Sequence, residues 1–339
     1  MSQLIINRNE NLYGPAPKVL ETIHNFDAIN VSRYQEGYYN SPLAKKISAQ
    51  FAIPEEQVII FYGLEDFFRN LFSGLDKKQD SILVNQWHFA YFKKYADFLQ
   101  IKFLEFKLIE NETDFSFDID DCLKIYNEQK PKILILTSPN NPTGNVLPFA
   151  ELEKVLNNIS LDTLFILDEA YFGYEQNYQL EKYLALLAKY PNLMLVRTFS
   201  KYYALAGLRI GFALAGKKAK EMINYQHRYL GFSTILENIA LAALDSESYY
   251  EEIAQKIIKE RDWFINQVRT LKNFKIFNSQ TNFVLLRVNE KIIDKLKEQI
   301  AKEEFVIALF LKDNMMRVSS GLPEHNQKFL ALLKNIDNL

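Results

Sequence analysis

Lys201 stands in a stretch, RTFSKYYALAGLRIGF at 197–212, that puts two cations and two hydroxyls where an apolar run gives way to a turn. Thr198 and Ser200 precede the lysine, Arg209 follows it by eight residues, and Tyr202, Tyr203, Ala204 and Leu205 crowd its downstream side. Hydroxyls and a guanidinium suit the oxygens of a phosphate. A lysine among aromatic and apolar neighbours feels little water, which lowers its pKa and frees a neutral amine to attack a carbonyl. The competing reading is a solvated lysine beside a structural arginine; the residues upstream decide between the two.

Four more apolar runs end in groups with chemistry. The run 133–136 enters a turn in which Pro139 and Pro142 fix the backbone on either side of Asn140 and Asn141, so an amide is presented without ordering cost. The run 164–167 delivers Asp168 and Glu169 together, with Tyr171 three residues after the aspartate. A carboxylate at the edge of a buried strand needs a cation or donors, or it protonates. The run 58–61 reaches Gly63 at a turn and then a helical pattern over 66–75, which aims free N–H groups at whatever lies above the sheet. The run 82–84 leads to Trp87, His88 and Phe89, rings that either stack on a planar ligand or plug the base of a helix.

The elements that must position these groups follow from the spacing. Strand and helix patterns alternate from 57 to 215, which predicts right-handed crossovers, a mostly parallel sheet between helices, and functional groups gathered at its carboxyl edge. After 217 the pattern changes to a long charged helix at 247–271, strands at 274–277, 282–288, 305–309 and 316–319, and helices at 290–302 and 323–338. We expect an α/β fold with an arm (1–30), a large domain (31–244) and a smaller α+β domain (245–339). INRNENLYGPAP at 6–17 predicts an extended arm, and SRYQEGYYNSP at 32–42 an aromatic loop.

With 339 residues, 48% of them apolar, a substantial core is available and disorder is not expected. A net charge of −2 from interspersed acids and bases leaves no basic face for nucleic acid or anionic lipid. The single cysteine excludes an internal disulfide, no run approaches membrane-spanning length, and the first residues lack a secretory pattern. A soluble cytoplasmic protein that binds small molecules, with no metal, is the expectation. One ligand would use Lys201, Asp168, Asn141, Tyr171, Arg209, the hydroxyls and the helix N-terminus together: a pyridine aldehyde carrying a phosphate.

SPNNPTG, DEAYFGY and SKYYALAGLRIGF resemble the motifs of the fold-type I, pyridoxal-phosphate-dependent aminotransferases of class I/II, in their histidinol-phosphate aminotransferase-like branch, and the resemblance runs from NENLYG to the terminal helix. It implies that Lys201 is the Schiff-base lysine and proton shuttle, that Asp168 pairs with the pyridinium, and that Asn141 and Tyr171 bind the ring oxygen. It assigns Thr198, Ser200 and Arg209 to the phosphate, with Gly63 at the phosphate turn and backbone N–H groups from Leu64 and Glu65. Phe89 falls where the family stacks a ring on the cofactor. Tyr34 matches a tyrosine that reaches the neighbouring subunit's phosphate, which implies a homodimer. Arg317 matches the clamp on the substrate α-carboxylate, and Asn282 is placed in the same pocket.

Three departures bear on the substrate. Tyr62 and Leu64 occupy the phosphate turn where small or polar residues are usual, and Phe89 has no hydroxyl to donate. FVIALFL at 305–311 carries no second arginine of the kind that members acting on histidinol phosphate typically have. An apolar or aromatic amino acid therefore fits the sequence as well as histidinol phosphate, with 2-oxoglutarate as the expected acceptor. Two other readings stand beside amino transfer: decarboxylation of a phosphorylated amino acid on the same scaffold, and a non-catalytic cofactor-binding module.

Overall fold

The computed structural model describes residues 4–34, 41–223, 231–310 and 313–338. Parts of the aromatic loop (35–40) and of FVIALFL (residue 311) lie outside them. Among the described residues no helix is long and apolar enough to cross a membrane.

Seven strands form the main sheet, in the order Val58–Phe61, Gly211–Ala215, Leu193–Thr198, Leu164–Asp168, Ile133–Thr137, Ser81–Asn85 and Lys102–Phe106. The expected parallel pairing holds throughout except at Gly211–Ala215, which runs antiparallel to both neighbours. That reversal follows from the short turn between 198 and 211, too short for a crossover helix. It has a useful result. Gly211 pairs with both Phe61 and Thr198, so Arg209 emerges at the edge where the parallel strands end.

Apolar strands buried on both faces explain the absence of polar alternation. Within Leu164–Asp168, Phe165 and Leu167 enter the core on one face while Leu164 and Ile166 enter the core on the other. Leu195 and Val196 divide in the same way. The second sheet, Phe274–Ile276, Phe283–Val288, Met315–Ser319 and Ala308–Phe310, is antiparallel and covers a separate core with the helices Glu247–Val268 and Pro323–Asp337.

Several elements depart from expectation. The helix after Gly63 spans Gly63–Ser73, because the glycine begins the first turn. The edge strand Lys102–Phe106 ends at Phe106, and Leu108–Glu110 turns away to pair with Phe115–Phe117. Helix Phe149–Asn158 supplies the crossover between Ile133–Thr137 and Leu164–Asp168 that the alternation predicts, and Thr234–Leu244 is a helix with no counterpart in the sequence pattern, its mostly apolar residues leaving the period hard to read. The strand expected at 305–309 is two pieces: Phe305–Val306 pairs in parallel with Leu4–Ile5 of the arm, and Ala308–Phe310 joins the second sheet. The arm is thus anchored as a strand before it runs on extended.

Candidate active site

The carboxyl ends of the central strands open into a cavity of about 520 Å³ that also takes residues from the arm and from the second sheet. Register explains who meets there. Thr137 pairs with Asp168, and Asp168 with Val196, so the groups that follow each strand rise side by side. Lys201, Asp168, Asn141, Tyr171, Thr198, Ser200, Arg209, Leu64, Glu65, Phe89 and Arg317 all line this cavity.

Asp168 is 4% exposed and accepts one hydrogen bond, from the Ala170 N–H at 3.0 Å. Among the described residues no cation lies within ion-pair distance of it. Burial therefore pushes its carboxyl up to about 7. A charged or protonated ring nitrogen is the kind of partner this group lacks. Beside it, the hydroxyl of Thr137 is buried with no partner.

Lys201 donates to the Arg8 carbonyl at 2.6 Å, and its nitrogen lies 6.0 Å from the centre of the Tyr171 ring. The side chain is half-buried by surface, but protein surrounds the amine closely. Burial first, and the Arg317 charge second, bring it down to about 8. Its peptide is fixed from both sides: Tyr174 donates to the Lys201 carbonyl at 3.2 Å, and Asn11 to the Tyr202 carbonyl at 3.1 Å. Tyr202 and Tyr203 both donate to Glu247 at 2.9 Å.

The far end of the cavity has the makings of an anion site. Helix Gly63–Ser73 begins there with no capping side chain, which leaves its first N–H groups available. Gly63 has a φ of +77°, and a Cβ on it would lie 2.9 Å from Arg209 Nη2, so only glycine lets the guanidinium settle against the turn. Arg209 donates to Ser200 Oγ at 3.4 Å and to the Ala206 carbonyl at 3.2 Å, and its Nη2 lies 3.9 Å from Glu65. Thr198 donates to Ser200 at 2.9 Å. Phe89, 38% exposed, forms part of the wall beside this end, stacked 5.7 Å from Tyr91.

At the opposite end Arg317 donates to Asn141 Oδ1 and to the Asn7 carbonyl, while its Nε is buried without an acceptor. Of the two residues expected at this end, Arg317 lines the cavity and Asn282 does not. Asn282, placed in this pocket by the sequence, is fully buried behind the cavity, where its amide donates to the Asn9 carbonyl at 3.0 Å and does not line the space. Tyr34 is 76% exposed and lies outside the cavity of its own chain. Arg317 lines the cavity at this end as a group able to meet a carboxylate.

Thr137 and the arm residues Asn7, Arg8, Asn9 and Glu10, none of them among the expected site residues, also line the cavity. Thr137 carried the same signal as Asp168, a polar residue ending an apolar strand. The arm carried only a polar run. A cavity with a nucleophilic amine, an unpaired buried carboxyl, an open helix N-terminus with its arginine, and a second arginine opposite can hold a ring, a phosphate and a carboxylate at once. The pyridine aldehyde phosphate expected from the sequence fits those donors and acceptors.

Residues 2–330 match the family aminotransferase class I and II. A histidinol-phosphate aminotransferase from Clostridium botulinum is 31% identical over 345 residues, covering 98% of this chain and 92% of that protein. Among solved structures, the histidinol-phosphate aminotransferase from Clostridium acetobutylicum superposes with a TM-score of 0.86 at 23% identity, covering 99% of both chains. That from Sinorhizobium meliloti, in complex with pyridoxal-5'-phosphate, superposes with a TM-score of 0.85 at 21% identity, covering 99% of this chain and 91% of that one. Those two share this α/β fold.

Proposed function

The chain belongs to the aminotransferase class I and II family, and on that premise we propose that it moves an amino group from an amino donor to 2-oxoglutarate, using pyridoxal phosphate held by Lys201. It is a pyridoxal-phosphate-dependent aminotransferase; the proposal concerns which residues act, on what, and in what assembly. The observation that carries it is the Asp168 carboxyl, buried with no cation paired to it among the described residues, in the cavity that Lys201 lines.

Bound there, pyridoxal phosphate supplies an electron sink for the pair left at the substrate Cα. Asp168 holds a proton on the ring nitrogen. Lys201, brought down to about 8 by burial and the Arg317 charge, has a neutral fraction near neutral pH that can take the Cα proton and return it. Asn141 and Tyr171 address the ring oxygen, and Arg209, Ser200, Thr198 and the N–H groups of Leu64 and Glu65 hold the phosphate. Arg317 receives the substrate α-carboxylate, exchanging its present acceptors, Asn141 and the Asn7 carbonyl, for two carboxylate oxygens.

Two donors fit. Histidinol phosphate is favoured by the activity named for the similar proteins. An aromatic or apolar amino acid is favoured by the described residues 305–310, which carry no charge. Incubating the purified chain with 2-oxoglutarate and histidinol phosphate, phenylalanine or threonine phosphate in turn, while following glutamate and carbon dioxide, tests both. Glutamate without carbon dioxide is expected; carbon dioxide without glutamate would refute amino transfer.

The proposal extends to a cytoplasmic homodimer in which Tyr34 reaches the neighbouring subunit's phosphate site. Leu20, Ile29, Val31 and Tyr34 are 55%, 60%, 71% and 76% exposed, which concentrates apolar surface on one short segment of the chain. A second copy of this chain is the partner that would cover it.

A further inference from the structure

Asn9, on the arm, is 1% exposed and holds a φ of +54°, a conformation that asparagine adopts more readily than most residues. Its backbone N–H donates to Ser319 Oγ at 2.9 Å, and the Ser319 hydroxyl donates back to Asn9 Oδ1 at 3.2 Å. Asn9 Nδ2 donates to the Tyr171 phenol oxygen at 2.9 Å. These bonds assign one another. Ser319 Oγ has no other acceptor for its proton among the described residues, so it donates to Asn9 Oδ1, and the amide end that faces the phenol is the NH₂.

The phenol oxygen therefore accepts a hydrogen bond from Asn9, and its own O–H must point elsewhere. Among the described residues no protein acceptor meets that proton, and Tyr171 lines the cavity. Phe283 packs edge-on against the ring with centroids 5.0 Å apart, which leaves rotation of the O–H as the phenol's remaining freedom. We infer that Asn9 is a positioning residue: it fixes the Tyr171 hydroxyl as a donor into the cavity, toward the ring oxygen of the ligand that Lys201 and Asp168 hold. The inference rests on the cofactor site proposed above. Receiving a hydrogen bond also polarises the phenol and makes it a stronger donor.

Equilibrium dialysis against pyridoxal phosphate and its 3-deoxy analogue, which lacks the ring oxygen, tests this on the wild type, Asn9→Asp, Tyr171→Phe and the double variant. Aspartate keeps the backbone and the shape, but its carboxylate accepts from Tyr171 and draws the phenol proton out of the cavity. The wild type is expected to bind pyridoxal phosphate about tenfold more tightly than the analogue. Each single variant loses about that factor for pyridoxal phosphate and little for the analogue, and the double variant is no weaker than the singles. Equal losses on both ligands, or losses that multiply in the double variant, would show a merely structural role and overturn the inference. A wild type that binds both ligands equally overturns it as well and leaves the cofactor site standing; one that binds neither sinks the site itself. Should Asn9→Asp melt early, Asn9→Gly keeps the backbone and is read with the same two ligands.

Discussion

Asp168 and Gly63 show how single residues set the terms of binding. Without a ring nitrogen, Asp168 titrates at about 7 in the folded chain against about 4 when unfolded, so the folded state binds the extra proton between those values. Stability then falls as pH rises from about 4 to 7, because the folded chain must give up a proton that the unfolded chain has already released. In cofactor-free protein, Asp168→Asn should remove that decline and be more stable than the wild type at pH 7 by about 1–3 kcal/mol. Urea melts at pH 5 and 7 check this, and parallel pH profiles for the two proteins would contradict it. Gly63→Ala should push the Arg209 guanidinium off the helix turn and weaken pyridoxal phosphate binding roughly tenfold to a hundredfold. An unchanged dissociation constant would mean that Arg209 does not hold the phosphate. Lys201, Asp168 and Arg209 were legible from type and spacing alone. Asn9 was not, because an asparagine in a polar arm has no distinguishing neighbours in sequence, whereas Thr137, ending an apolar strand as Asp168 does, could have been found.

Strand ends organise the site, and a buried ion pair keeps two of them together. Arg197, on Leu193–Thr198, donates to Glu169, just past Leu164–Asp168, at 2.8 Å, with both side chains almost fully buried. Tyr178 donates to the same Glu169, and the Phe172 ring lies 4.6 Å beneath the guanidinium. Glu169→Gln should leave Arg197 uncompensated and cost about 3–5 kcal/mol, whereas pairing it with Arg197→Met should recover much of the loss. Denaturation of the three variants decides this, and an additive double variant would refute the coupling. The central strands were readable because burial on both faces leaves unbroken apolar runs with turn residues after them. Pairing direction was not readable at Gly211–Ala215, and neither was the division of 305–310 between two sheets. The first depends on the short connection after Thr198, which leaves no room for a crossover helix, and the second on a partner far away in sequence, the arm's Leu4–Ile5.

The whole molecule brings three parts to one cavity: the main sheet supplies the amine and the acid, the second sheet supplies Arg317, and the arm closes the space between them. An assembly of two chains would add Tyr34. Tyr34→Ala should leave the fold intact and weaken pyridoxal phosphate binding about tenfold, while sedimentation still shows a dimer; binding equal to the wild type would remove Tyr34 from the site. Everything in this arrangement turns on one lysine. Reductive trapping of bound pyridoxal phosphate with borohydride, followed by digestion and mass spectrometry, locates the amine that holds it. The modified peptide should carry the label on Lys201, and Lys201→Ala should take up none; a label on another lysine, or undiminished labelling of Lys201→Ala, would contradict the assignment.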